Sequence, residues 1–311
     1  YDIASLSKIV GTTMIAFRFL EEGQLRLYDT VEQFFPAPED KKGITVLQLM
    51  THTSGLPAHF YLSEEADGPG DAVRAILAHP LEHAPGALPV YSCMGYILLG
   101  RILEQIGGQS IDRLAQEYVF EPLGLTHTTY RPAGDVAPTE RDPATGELLR
   151  GAVHDENARF LGGLSGNAGI FSDLCDMTRF VQMLALGGKL PDGTQFLSPA
   201  TLPVTIRAEA DGALVNRTPG AGHEFRGLGF NLAGSPSNFL GDLMSPRAYG
   251  HTGFTGTSIA VDPDTGLFVV LLTNRVCPTR ENGKLIRMRS LIHNAAAAAA
   301  ERMQQEAPPW N

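Results

Sequence analysis

A chain of 311 residues, 43% hydrophobic and 19% charged, is long enough to bury a large core and exceeds what a single core comfortably serves, so two lobes with a cleft between them are expected. A net charge of −10 with the acids spread along the chain leaves no basic stripe for a phosphate backbone, and no apolar run approaches the ~18 residues of a membrane-spanning helix. These features argue against a nucleic-acid partner and exclude a membrane span; the three cysteines, Cys93, Cys175 and Cys277, read as free thiols because their number is odd and the chain is too large to depend on disulfide staples.

Between Ser5 and Leu20 the apolar residues Ile9, Val10, Met14, Phe17 and Leu20 recur at spacings of three and four and Gly23 follows, which predicts a mostly buried helix. Further helices are expected over "ITVLQLMTH", capped by Thr45 or a neighbour, over "DAVRAILAH", capped by Asp71, and over "SCMGYILLGRILEQIGG", which ends in paired glycines. "SIDRLAQEYVF" from Ser110 and "SDLCDMTRFVQMLALGG" from Ser172 complete a helical middle. After about residue 225, β-branched and aromatic runs with turn punctuation predict strands in "GLGFNLA", "RAYGHTGF" and "GTSIAVDPDTGLFVVLLTNR", with "DPDTG" as a hairpin turn. "KLIRMRSLIHNAAAAAAERMQQ" is rich in strong helix formers and predicts a C-terminal helix. Residues 1–25 and 215–311 would then form a sheet lobe and 26–214 a helical lobe, with the active-site cleft between them. The long loops "HFYLSEEADGPGD" and "GDVAPTERDPATGELLRGAVHDEN" are of the kind that border sites.

Three short stretches carry chemistry. In "DIASLSK", each helical residue turns by about 100°, which places Ser5 and Lys8 about 60° apart on one face and turns Ser7 away. A serine hydroxyl becomes nucleophilic when a base takes its proton, and a lysine serves if desolvation lowers its pKa. At the first turn of a helix, the serine's own N–H is also free to meet a developing oxyanion. The bland alternative is a helix cap followed by a solvated lysine. In "PVYSCMGYILLG", Tyr91 precedes a helix and could project into a cleft as acid or base, or be a half-buried core tyrosine. In "YGHTGFTGTS", His251, Thr252 and Gly253 lie on a strand, where the glycine would let a substrate approach and the Phe254 N–H would supply a second oxyanion donor.

In this order and spacing the three stretches resemble the serine β-lactamase and penicillin-binding protein superfamily, whose signatures are SxxK, a Tyr-x-Asn element and a Lys-Thr-Gly strand. The resemblance is closest to the class C β-lactamase-like branch, with its family VIII carboxylesterases, D-amino-acid peptidases and muropeptide amidases. "LQLMTHTSGLP", "FEPLGLTHT" and "GNAGIFSDLCDMTRFVQMLALGG" extend it from residue 1 to about 305. It implies an α/β (α+β) β-lactamase-like fold, an antiparallel sheet flanked by helices plus an all-helical lobe. It further implies that an N-terminal helix and two strands of the sheet are missing from this chain.

By the same resemblance Ser5 would be the acylated nucleophile, Lys8 its base and Tyr91 the proton shuttle. The Ser5 and Phe254 N–H groups would form the oxyanion hole, and Cys93, His251, Thr252 and Gly253 would line the substrate side. Two departures stand out: Cys93 occupies the place of the usual Asn, removing an amide that positions substrate, and His251 replaces Lys, removing a permanent charge. Both count more against penicillin hydrolysis than against ester or peptide hydrolysis. His154 and Asn157 of "HDEN" and Asn167 of "GGLSGNAG" are candidates for substrate contact or for a loop-stabilising network. "GGLSGNAG" lacks the GK[ST] ending of a phosphate loop, and the HxxxH of His79 and His83 is broken by Pro80, so neither a cofactor nor a metal is expected. The expected function is a serine hydrolase acting through an acyl-enzyme on a small ester, a D-amino-acid amide or peptide, or a muropeptide. The alternatives are a weakly active β-lactamase and a non-catalytic relative that binds peptidoglycan or peptide. Its partner would be a small-molecule or peptide substrate; compartment and oligomeric state stay open.

Overall fold

A computed structural model describes residues 1–142, 145–206, 225–234 and 239–306, so the lobe boundary expected at 214–215 lies outside the described residues. Five strands form one antiparallel sheet in chain order: β1 (Phe225–Arg226), β2 (Asn231–Leu232), β3 (Tyr249–Thr252), β4 (Ser258–Val261) and β5 (Phe268–Leu271). His251 pairs with Ile259 and Thr252 with Ser258, while Asn231 pairs with Gly250. The "DPDTG" turn closes β4 onto β5 as expected: Asp262 N–H donates to the Leu267 carbonyl at 2.8 Å, and Gly266 takes the left-handed φ of +72° that this tight reversal requires.

Every residue of β4 is buried because helices cover both faces of the sheet. The Leu174–Ala185 helix packs on β4 and β5. On the other side the C-terminal Lys284–Glu306 helix reaches the end of β3, where Arg289 Nη2 donates to the carbonyls of Gly253 at 2.8 Å and Thr257 at 3.0 Å. The Leu174–Ala185 helix is capped by Asp173 and not by Ser172, whose hydroxyl instead bonds Thr128. Likewise Asp71 does not cap the Ala72–Ala78 helix, because its carboxylate is taken by Arg74. Among the described residues no helix is long and apolar enough to cross a membrane.

The first residues form a continuous helical run of changing pitch: a 3-10 turn at Ala4–Leu6, a π-helical stretch at Lys8–Thr13, and an α-helix at Met14–Glu21. It is buried on nearly all sides, with Ile9, Val10, Met14, Ile15 and Phe17 inaccessible to solvent. Against it lies the Cys93–Gly107 helix, capped by the Ser92 hydroxyl, which accepts the Gly95 N–H at 3.0 Å. A Cβ placed on Gly100 of this helix would meet the Gly166 Cα at 2.9 Å. Helix and glycine-rich loop therefore touch backbone to backbone. That close approach is what carries the Asn167 carbonyl to the N-terminal helical run, where Lys8 Nζ donates to it at 2.9 Å.

Candidate active site

Across the Ala4–Leu6 turn the chain winds with about three residues per turn, so positions three apart nearly eclipse and Ser5 comes directly beside Lys8. The turn is entered through Ala4 at a left-handed φ of +48°, a conformation that costs a non-glycine residue energy and persists only when its surroundings hold it. Asp2 holds it: its buried carboxylate accepts the Ala4 N–H at 2.8 Å and the His154 N–H at 2.7 Å.

Lys8 Nζ is fully buried and spends its three donors on Ser5 Oγ at 3.2 Å, the Asn167 carbonyl at 2.9 Å and Cys93 Sγ at 3.6 Å. It also lies 4.9 Å from the centre of the Tyr91 ring, and Tyr91 lines the same cleft as Ser5 and Cys93. Ser5, Lys8, Tyr91 and Cys93 thus converge. Ser7 faces away, its hydroxyl accepting the Ile170 N–H at 3.0 Å. Among the described residues neither the Ser5 N–H nor the Phe254 N–H donates to another protein group. Both residues line a cleft of about 280 Å³, together with Tyr91, Cys93, His154 and Arg280, among others.

The protonation of this cluster differs from the sequence expectation. Burial pushes the Lys8 amine down, but the adjoining Cys93 thiol and Tyr91 phenol outweigh it and hold Lys8 above the ordinary lysine value. Burial likewise pushes Tyr91 and Cys93 up, against the pull of the Lys8 charge. The lowered amine expected from desolvation alone fails because two acidic groups share its pocket. The set titrates together, and at neutral pH it carries an ammonium, a phenol and a thiol.

The opposite rim of the cleft is charged. His154 stacks on Phe254 with ring centres 5.6 Å apart, and its Nε2 meets Glu140 Oε2 at 3.0 Å. Arg280 donates from Nε to Glu140 and from Nη2 to Glu156, each at 2.6 Å. Burial raises both carboxyls, yet the Arg280 bonds outweigh it and hold both below their ordinary values.

Other expected residues sit elsewhere. His251 does not line the cleft: it is 1% exposed and lies behind Tyr91, ring centres 5.9 Å apart, with Nδ1 bonded to the Thr252 carbonyl. Gly253 is tightly packed, since a Cβ there would strike Thr257 and the Ile3 carbonyl. Thr252 is half-buried beside it at the end of β3. Asn157 is buried, its Oδ1 accepting the Leu62 N–H at 2.8 Å and its Nδ2 donating to the Phe60 carbonyl at 2.7 Å, so it ties loop to helix. Asn167 reaches the site through its carbonyl. Its Oδ1 accepts from Ser165 at 2.6 Å, and its amide nitrogen lacks a hydrogen-bond partner among the described residues while lying close enough to Cys93 to favour the thiolate. His79 stacks on Phe60 and His83 is exposed.

A family model for Beta-lactamase matches residues 1–292. The chain belongs to the Beta-lactamase family. It is a serine hydrolase of that superfamily, with its β-lactamase-like fold of one antiparallel sheet among helices. An Escherichia coli K12 relative whose name proposes a D-alanyl-D-alanine carboxypeptidase is 32% identical over 310 residues, covering 88% of this chain and 69% of the relative. Among solved structures, a Mycobacterium bovis β-lactamase superposes with a TM-score of 0.65 at 22% identity, covering 96% of this chain and 87% of that one. EstCE1, a hydrolase with promiscuous acyltransferase activity, superposes at 0.69 and 24% identity, covering 93% and 84%.

Three residues of this β-lactamase-family site were not singled out from sequence. Asp2 braces the nucleophile turn, as above. His52, in "LMTHTSGLP", is buried against Tyr91 with ring centres 4.6 Å apart, and its Nδ1 accepts the Ser92 N–H at 3.0 Å. Arg226 of β1 lies with Cζ 4.8 Å from the centre of the Tyr91 ring. The only sequence signal was that Asp2 and His52 fall inside motif stretches; Arg226 had none.

Proposed function

We propose that this hydrolase cleaves the amide bond of a D-alanyl peptide or a related D-amino-acid amide through an acyl-enzyme on Ser5. The observation that carries the reading is Lys8 Nζ 3.2 Å from Ser5 Oγ and 4.9 Å from the centre of the Tyr91 ring, beside the Ser5 and Phe254 N–H groups, which meet no protein acceptor among the described residues. Once the Lys8–Tyr91 pair has lost one proton, it takes the Ser5 hydroxyl proton as Oγ attacks the substrate carbonyl carbon. The tetrahedral oxyanion is met by the Ser5 and Phe254 N–H groups. Tyr91 passes the proton to the leaving amine, the C–N bond breaks and an ester to Ser5 remains. Water then attacks that ester, giving its proton to the same pair, and Ser5 departs with a proton restored.

The D-alanyl choice follows the name of the relative that is 32% identical. Penicillin turnover is disfavoured because position 251 holds a buried histidine where a β-lactam carboxylate would meet a lysine. A second reading, hydrolysis of small esters, is favoured by Cys93, which offers no amide to hold a peptide backbone.

The test offers the full chain a diacylated Lys-D-Ala-D-Ala tripeptide, its L-Ala-terminated counterpart, p-nitrophenyl butyrate and nitrocefin. Release of D-alanine from the first and none from the second is expected. Turnover of the ester alone would transfer the conclusion to the second reading. Tight peptide binding with no turnover of anything, unchanged in Ser5→Ala, would make the protein a binding relative.

A further inference from the structure

We propose that Arg226 of β1 supplies the fixed positive charge behind the Tyr91 phenol, as a positioning residue, and that His251 works beside it as a neutral hydrogen-bond acceptor. The inference rests on the function proposed above and concerns how the phenol is kept ready.

The first observation is the tautomer of His251. Its Nδ1 lies 2.8 Å from the Thr252 carbonyl, which can only accept, so Nδ1 carries the hydrogen. A neutral ring has one N–H, which leaves Nε2 as a bare lone pair. That atom is buried and lacks a partner among the described residues. Protonating it would place a third positive charge in a closed space already holding Arg226 and Lys8; burial first, then these two cations, hold the imidazole neutral. The strand position that a lysine would make cationic is thus an acceptor here.

The second observation is where the charge has gone. Arg226 is 6% exposed, and a guanidinium stays ionised throughout the working pH range. Its Nη1 donates to Asn231 Oδ1 at 2.7 Å, across the β1–β2 pair, which fixes the group in place. Its Cζ stands 4.8 Å from the Tyr91 ring centre, close enough for attraction to the ring, and the attraction grows when that ring becomes a phenolate. Arg226 is not among the residues that line the 280 Å³ cleft.

The other groups facing Tyr91 do not duplicate this role. Lys8 is engaged with Ser5, Cys93 and Asn167. Cys93 is a thiol held neutral by burial. His52, on the neighbouring ring face, accepts the Ser92 N–H at Nδ1 and is kept uncharged by burial and by Arg226. Among the described residues two cations therefore border the Tyr91 ring: Lys8, which touches Ser5, and the fixed Arg226 guanidinium. The fixed one makes loss of a proton from the Lys8–Tyr91 set easier.

The experiment follows Ser5 phosphonylation by a fluorophosphonate, read by intact mass, from about pH 6 to pH 10 in the wild type, Arg226→Met and Arg226→Lys. An opposite charge at this range shifts a titration by roughly one unit or more. Arg226→Met should move the rising limb to higher pH by about one unit, about tenfold slower below the midpoint and converging with wild type above it. Arg226→Lys should stay within about threefold of wild type throughout. An Arg226→Met rate reduced by one factor at every pH, or unchanged, would assign Arg226 to packing and overturn the inference. Should Arg226→Met not fold, the ¹⁵N shifts of His251 in the wild type decide: a bare Nε2 down to about pH 5 supports the proposal, and an imidazolium near pH 6 overturns it. Absence of wild-type Ser5 labelling overturns the proposed function and this inference together, whereas normal labelling with an unmoved limb overturns this inference alone.

Discussion

The two walls of the cleft are built by different means. The reactive wall sets half-buried Ser5 and Tyr91 around a fully buried Lys8, and its atoms are held by backbone: the Ala4 turn, the Asn167 carbonyl and the cap of the Cys93–Gly107 helix. The rim, His154, Glu140, Glu156 and Arg280, is held by ion pairs between segments far apart in the chain, and the Arg280 side chain is 38% exposed. Fixed dipoles and buried charges retain their strength when solvent and salt change, while exposed ion pairs are screened. We therefore propose that chemistry belongs to the first wall and selection among substrates to the second.

The comparison breaks most decisively at the nucleophile. Ser5→Ala should lower kcat/KM by at least about 10⁴-fold and Lys8→Met by about 10³-fold, each with the thermal melt checked for an intact fold. A Lys8→Met variant within about tenfold of wild type would remove lysine from the reactive wall.

The pH profile comes next. Lys8, Tyr91 and Cys93 are all held above their ordinary values, so the neutral-pH set carries one proton more than activation of Ser5 allows. Initial rates should therefore climb about tenfold per pH unit from neutrality into the alkaline range. A profile flat over about two units there would show that the site is already deprotonated.

Arg280→Gln tests the rim. Losing the shared partner of Glu140 and Glu156 should raise KM by less than about tenfold and leave kcat nearly unchanged. A loss in kcat alone would place Arg280 in the chemistry. Smallest of all at alkaline pH, Cys93→Ala should keep the plateau rate within about threefold, because Ser5, Lys8 and Tyr91 remain, while moving the rising limb to lower pH, because it removes the group that raises Lys8 most.

What the sequence showed of this site follows distance along the chain. Ser5 and Lys8 are three residues apart and the "DPDTG" hairpin closes on itself, so local geometry was enough to place them. Thr45 and Ser92 cap their helices with side chains that precede them directly, a rule that needs no tertiary information. Arg226 was invisible because β1 meets Tyr91 from 135 residues away, on a two-residue strand with little pattern to read. His251 was placed on the right strand but not on the right side of Tyr91, since orientation depends on what packs behind it. The glycines of "GGLSGNAG" were rejected as a phosphate loop for want of a GK[ST] ending, and their packing role, with Gly166 letting the loop touch the Cys93–Gly107 helix, carried no sequence signal.

The central claim is that burial beside Lys8 and Tyr91 makes one hydroxyl reactive. It is tested most directly by intact mass of the full chain after brief exposure to p-nitrophenyl acetate, with peptide mapping of the modified residue. A single acetyl group on Ser5, absent from Ser5→Ala, is the predicted result. An unmodified protein, or acetyl on the Cys93 thiol with Ser5 untouched, would contradict it.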